Sequence, residues 1–319
     1  MKGEPLRHDF GSGEVAAYRW INADGTQGGI VAESARVDDT AVIGAGAIIG
    51  EEAVIGYMAV IGEGAVITRW ASIRAYASIG QNARIGAGPR IGVYASIGDG
   101  AVTARWASIG AGPRIGVYAS IGEGAIIGAR ASIGDGAVIG YMTVIGDTAI
   151  IGDMAVIARW ASIGARPRIG VYARIGDGAN IGAGASIGDG AVIGDGASIG
   201  DGANIGDMTF IGDDASIGDR VVIGDAASIG DGASIEGDDW YITGGPCGSR
   251  KAMWTAVHNR DYGLRWWVGC QYGISTDALL ERVADAHGDN EHARAYRHAV
   301  QYVTTHPEYL KRIAQEAKE

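Results

Sequence analysis

From Val37 to Ile235 every sixth position belongs to one ladder of mostly isoleucine, 34 positions in succession without an insertion or deletion. All are isoleucine except Val37 and Thr103, and two residues before each stands alanine, replaced only by Pro89, Pro113, Pro167, Thr143, Thr209 and Val221. The unit reads Ala-x-Ile-Gly-x-x. Residues two apart on a strand share a face, so alanine and isoleucine both point inward. The glycine and the Asp-Gly or Glu-Gly beyond it are turn chemistry, because glycine tolerates positive φ and aspartate bonds its own downstream backbone. Each hexapeptide is therefore one short strand and one corner, and three of them close a triangular coil. The chain predicts a mainly β protein, a parallel β-helix of about eleven coils stacked at about 4.8 Å.

Three regions follow from this register: an entry segment over residues 1–34, coils over 35–239 and a separate module over 240–319. A stacked array needs its ends covered, which the atypical sequences before Ala35 and after Ile235 are placed to do. In the last region Trp240 to Thr243, Ala252 to His258 and Leu264 to Val268 predict three strands. Ser275 or Thr276 caps a helix to about Ala286, a second runs from Gly288-Asp289-Asn290 to about Thr304, and Pro307 opens a third. The module is a small α+β domain.

The repeat matches the hexapeptide signature of the left-handed β-helix superfamily, whose members are in general trimers packed along their prism faces; the resemblance implies a homotrimer here. The ends resemble those of a group of uncharacterised phage and prophage hexapeptide-repeat proteins. At the N-terminus the resemblance rests on Asp9-Phe10, Gly28-Gly29-Ile30-Val31-Ala32-Glu33-Ser34 and Ala35-Arg36-Val37. At the C-terminus it rests on Gly245-Pro246-Cys247-Gly248-Ser249-Arg250, Gly269-Cys270 and His287-Gly288-Asp289-Asn290 with Tyr296. The chain departs from that group at Lys251-Ala252-Met253 and Gln271-Tyr272, and the group carries no established activity.

Composition and charge narrow the possibilities. With 55 glycines and only two phenylalanines the chain is far from the usual globular mix, but its glycines fall in register, which favours a repeat over disorder. No apolar run approaches the roughly 20 residues of a membrane span, and Met1 to Gly13 lacks the apolar stretch of a signal peptide. A soluble cytoplasmic protein is expected, in the host cytoplasm if the protein is phage-encoded. Cys247 and Cys270 are too few for a disulfide framework and are read as reduced thiols. The net charge of −11 disfavours indiscriminate nucleic-acid binding. The charge is uneven, however: residues 69–176 hold eleven arginines against five acids, whereas 177–239 hold thirteen acids against Arg220.

Offsets of 18 residues place side chains above one another. Trp70, Trp106 and Trp160, each preceded by Arg69, Arg105 or Arg159, line one corner; Tyr118 and Tyr172 line another, and Tyr76 and Tyr94 the third. Exposed Trp, Tyr and Arg on a rigid rod are the composition of an interface core, so Arg69, Trp70, Arg105, Trp106, Arg159, Trp160, Tyr118 and Tyr172 are candidate interface residues. Asp177, Asp195, Asp213 and Asp231 form a second ladder. It is read as turns rather than as a cation site, and no metal is predicted.

No histidine lies between Asp9 and Val257. Hexapeptide acyltransferases use a histidine base and γ-class carbonic anhydrases three histidine ligands, so the repeat predicts no catalysis, no catalytic residue and no cofactor. In the C-terminal module the run from Gly244 to Lys251 is either a tight turn or an anion cradle. In the second reading backbone amides with Gly248, Ser249, Arg250 and Lys251 hold a phosphate while Trp254 and Trp266 stack on a base and His287 lies nearby. His287 with Cys270 also forms a candidate base and nucleophile, although a histidine before glycine at a helix end is equally a cap. The expectation is a non-enzymatic oligomer in which the C-terminal domain or the Arg- and aromatic-rich coils bind, and so could sequester, a small phosphorylated ligand such as a nucleotide. A structural or protein-docking rod is the alternative, and an acyltransferase-like enzyme a more distant one.

Overall fold

The computed structural model describes residues 2–11, 13–237, 239–247, 252–268 and 271–318. Three strands open the chain, β1 (Lys2–Asp9), β2 (Glu14–Ile21) and β3 (Gln27–Ala32), followed by two-residue strands from β4 (Arg36–Val37) to β37 (Ser234–Ile235). Each two-residue strand is the x-Ile pair of one hexapeptide. The fold is a mainly β, parallel β-solenoid of about eleven turns, the left-handed β-helix of hexapeptide repeats, with a small antiparallel sheet and three short helices. Contacts divide the chain into two compact units, residues 1–177 and 178–319.

In the first unit β1 and β2 pair antiparallel, β2 and β3 likewise, and β3 pairs parallel with β6 (Ile48–Ile49), matching Ile30 to Ile48. From there every strand bonds the strand three further on, giving three parallel sheets. The amide of each strand's first residue donates to a carbonyl 17 residues ahead, as Val42 does to Ala59 at 2.9 Å, and Gly44 does the same to Ile61 at 2.7 Å. Ile43 and Ile49 are fully buried, as are Ala47 and Ala53. The threonines at alanine positions keep their hydroxyls satisfied: Thr143 Oγ1 donates to the Ala158 carbonyl at 2.9 Å.

In the second unit the coils continue from β28 (Asn180–Ile181) to β37 on the same plan. Here the aspartates act differently from the sequence expectation. Asp213 Oδ1 accepts from the Asp195 amide at 2.9 Å and Asp231 Oδ1 from the Asp213 amide at 3.1 Å, so each carboxylate bonds the preceding coil rather than its own turn. A backbone N–H under each carboxylate offsets the repulsion along the ladder. No group of acids, histidines and cysteines suited to a metal occurs among the described residues.

The terminal module has four strands where three were expected, β38 (Trp240–Cys247), β39 (Ala252–Asn259), β40 (Gly263–Val268) and β41 (Gln271–Ser275), an antiparallel meander. Helices α1 (Thr276–His287), α2 (Glu291–Thr304) and α3 (Pro307–Glu316) follow at the predicted caps, Ser275 Oγ accepting from the Ala278 amide at 3.2 Å. The module's core joins Trp254, Trp266 and Val268 of the sheet to Leu279, Val283, Ala293 and Val303 of the helices. Its sheet covers the last coil: Thr255 Oγ1 donates to the Ser228 carbonyl at 2.9 Å and accepts from the Gly230 amide at 3.2 Å. Tyr241 donates its hydroxyl to the Val222 carbonyl at 3.1 Å. Backbone groups at an end of the stack that coils cannot satisfy are thus bonded by side chains of the module.

Candidate functional site

From Gly46 to Gly232 the corner residue that closes each hexapeptide has positive φ, and in many coils it is glycine. In the first unit several corners instead carry Trp or Tyr in the same left-handed conformation: Trp70 (φ 62°), Trp106 (60°), Trp160 (59°), Tyr76 (60°), Tyr94 (58°), Tyr118 (57°) and Tyr172 (59°). For a bulky L-residue that conformation costs on the order of 1–2 kcal/mol. These rings are also exposed, from 42% for Tyr76 to 75% for Tyr118, so burial within the chain does not offset the cost. Glu52, Asn82, Arg130 and Ala226 take the same conformation at equivalent corners, so it belongs to the repeat, and what sets the Trp and Tyr corners apart is the exposed ring.

Around Trp70 and Trp106 the elements for recognition converge. The Arg69 guanidinium lies 4.4 Å from the Trp70 ring centre, and the Trp70 and Trp106 rings are stacked at 6.5 Å with 17° between their planes. Gly88 (φ 78°) is the corner between them. A Cβ there would stand 2.4 Å from the six-membered ring of Trp106, so only glycine lets that ring lie against the corner. Beside the stack a groove of about 410 Å³ is lined by Val66, Thr68, Arg84, Thr103, Arg105 and Glu123 among others. Arg105 and Glu123 face each other at 3.6 Å, the arginine exposed and the glutamate half-buried. Thr68 Oγ1 and Thr103 Oγ1 are buried without a hydrogen-bond partner. Such groups are uncommon because each costs about 1–3 kcal/mol, and Thr103 is the single break in the isoleucine ladder after Val37.

The other corners are built differently. Arg159 lies 4.9 Å over Trp160 but is bound to Asp177 at 2.6 Å, and Tyr141 meets Trp160 edge-on. Tyr76 and Tyr94 stack at 4.8 Å and 10°, with Tyr57 edge-on to Tyr76 at 5.5 Å. Tyr118 and Tyr172 are the most exposed of the tyrosines.

In the C-terminal module only Trp254, Trp266 and His287 of the predicted ligand-binding residues fall among the described residues. Gly248, Ser249, Arg250 and Lys251 lie outside the described residues, as does Cys270. Gly244 and its neighbours to Cys247 are strand rather than loop, Gly244 pairing with Trp254 in β39. The Trp254 ring lies where a Gly244 Cβ would be, 2.4 Å away. Trp254 and Trp266 are buried in the module's core, and Trp266 Nε1 donates to Thr276 Oγ1 at 3.0 Å. Packing therefore covers both rings that were expected to stack on a ligand. His287 ends α1, half-buried, its ring stacked on Tyr296 at 6.1 Å and edge-on to His292 at 5.6 Å. Elsewhere in the module His258 Nε2 and Glu316 Oε2 are 2.8 Å apart and Arg312 donates to Glu316 at 3.1 Å. The hydrogen bond to His258 is the main reason the Glu316 carboxyl lies below its ordinary range.

The profile described as bacterial transferase hexapeptide (six repeats) matches residues 107–141, 172–207 and 202–237, so the chain carries this repeat. Among solved structures it is similar to GDP-perosamine N-acetyl transferase from Caulobacter crescentus (21% identity, 42% of this chain and 54% of that one, TM-score 0.32). It is also similar to the UDP-N-acetylglucosamine acyltransferases of Campylobacter jejuni (19%, 60% and 69%, TM-score 0.25) and Francisella novicida (16%, 86% and 91%, TM-score 0.29). The chain thus spans about half the length of the Caulobacter protein. No curated protein matches. The expectation that the protein is not an enzyme is corrected by the family match: the repeat is the one described for bacterial transferases. A repeat without histidine lacks one familiar base, which was too narrow a ground for excluding an enzyme. No helix among the described residues is long and apolar enough to cross a membrane.

Proposed function

We propose that this hexapeptide-repeat protein binds a small phosphorylated ligand with a planar ring, a nucleotide or nucleotide conjugate, at the corner formed by Arg69, Trp70 and Trp106. The observation that carries the reading is the guanidinium-indole-indole stack beside a groove that presents Arg84 and Arg105. Stacked indoles give a flat apolar platform for a base, and arginines at its side pair with phosphate oxygens through charge-assisted bonds. Glu123 on Arg105 gives the rim an acceptor for a sugar hydroxyl or a ring N–H. The groove is within the size range of small-molecule sites.

A thermal-shift screen of mono- and dinucleotides, nucleotide sugars and coenzyme A, followed by titration of any hit against Arg105→Ala, tests this. A hit weakened at least tenfold by the substitution is the expected result. A hit unaffected by Arg105→Ala places the ligand elsewhere.

We further propose a homotrimer whose contacts use the remaining corner aromatics, Trp160, Tyr118 and Tyr172. The support is the exposure of these large rings, 56% to 75%. Light scattering of the full chain at micromolar concentration checks it: a trimer is expected, and a monomer overturns it.

A further inference from the structure

The stack at Trp70 is one edge of a larger surface. Strands β10 (Ser72–Ile73), β13 (Arg90–Ile91) and β16 (Ser108–Ile109) lie side by side in one parallel sheet, with Ser72 opposite Arg90 and Arg90 opposite Ser108. The chain enters β10 from the Trp70 corner and leaves it at the Tyr76 corner, through Arg74. Six residues of extended chain separate the two corners, no more than about 20 Å. One strip of the prism is therefore bordered by stacked indoles on one side and by the stacked Tyr76 and Tyr94 rings on the other. Between them Arg74 and Arg90 are exposed and no acidic side chain stands on β10, β13 or β16.

Two lines of stacking platforms with cations between them match an extended polyanion that carries planar groups. We infer that this strip, together with the groove beyond the Trp70 corner, binds a short single-stranded oligonucleotide. Bases stack on Trp70 and Trp106 at one corner and on Tyr76 and Tyr94 at the other, and the phosphates between them lie over Arg90 and Arg74. The net charge of −11 does not oppose this, because residues 69–176 carry eleven arginines against five acids. The inference rests on the nucleotide reading of the Trp70 corner and extends it from one base to several.

A single base sees only one corner, whereas an oligonucleotide sees both, and alanine replacement of a stacking ring costs about five- to 150-fold in affinity. Fluorescence anisotropy with a labelled short oligodeoxythymidine, beside calorimetry with the mononucleotide, separates the two. The oligonucleotide is expected to bind at least tenfold more tightly than the mononucleotide. Tyr94→Ala and Arg90→Ala remove that gain and leave mononucleotide affinity unchanged, while Tyr94→Phe keeps it. Each arginine removed also lowers the slope of log affinity against log salt by about 0.7. If the mononucleotide binds and the oligonucleotide binds no more tightly, the extended surface is overturned and the nucleotide corner stands. If neither binds and an anionic polysaccharide does, both readings fall.

Discussion

Trp106 covers Gly88: the indole fills the space in which a side chain at position 88 would begin, 2.4 Å from the ideal Cβ. The two residues are 18 apart, one full coil, and the ring reaches back over the glycine towards Trp70, two coils below. Gly88→Ala therefore meets both a clash and a positive φ of 78°. Chemical denaturation should show a loss of at least about 1 kcal/mol. Loss of the Trp70 and Trp106 stack should appear in near-ultraviolet circular dichroism, and unchanged stability would mean that the ring does not rest there.

Exposed aromatics in left-handed conformations make an unusual stability prediction. Tyr118 (φ 57°) lies with one edge against Gly100 but stays 75% exposed, so this contact returns little for the strain. Tyr118→Gly should leave the monomer's stability unchanged or raise it by up to about 1 kcal/mol, net of the entropy glycine brings to the unfolded chain. If the protein is a trimer through this corner, the same substitution should weaken assembly in sedimentation at low concentration. A large fall in the stability of an isolated protomer would show that the ring is packed.

Thr103 stands in the core where other coils have isoleucine, with its hydroxyl buried and unpartnered. Thr103→Ile should raise the unfolding free energy by about 1 kcal/mol or more, because it removes an unsatisfied hydroxyl and restores apolar contact. Differential scanning calorimetry reads this directly. A destabilised variant would mean that the site holds a partner for the hydroxyl, such as a buried water.

Glu316 gives a pH dependence with a definite sign. Its carboxyl is held below the ordinary range, first by the hydrogen bond with His258 and then by Arg312. A lowered folded value contributes stability that is complete above the unfolded value and is lost as the pH falls through the folded one. The C-terminal helix α3 should therefore loosen on acidification below the ordinary glutamate range of about 4.3. Glu316→Gln should abolish that part of the acid dependence, as followed by hydrogen exchange in α3. Equal acid sensitivity in the variant would assign the effect to other carboxylates.

The fold was legible because a period of six with isoleucine and alanine at fixed offsets admits one inward face, and residue separations of 18 then locate every corner. The same arithmetic placed Trp70 with Trp106 and Tyr76 with Tyr94, both of which stack. It did not find Arg84 or Glu123 as groove neighbours, although Glu123 is one coil beyond Arg105 and the ladder spacing contains that signal. The aspartate bonds to the preceding coil were missed because turn chemistry was sought within four residues rather than across 18. In the C-terminal module Gly244 looked like a loop residue, but its missing side chain makes room for Trp254 within a strand. Composition alone does not distinguish a glycine that bends the chain from one that a neighbouring ring covers.

If the Trp70 and Trp106 corner is a nucleotide site, isothermal titration of one nucleotide into three proteins will show it. Trp106→Ala removes a stacking surface of the proposed site, whereas Trp160→Ala removes an equally exposed indole whose neighbouring arginine is already held by Asp177. Wild-type protein and Trp160→Ala should bind with equal affinity, and Trp106→Ala should bind about five- to 150-fold more weakly, the equivalent of about 1–3 kcal/mol for one stacked base. Equal binding by all three proteins, or no binding by the wild type at millimolar nucleotide, would contradict the claim.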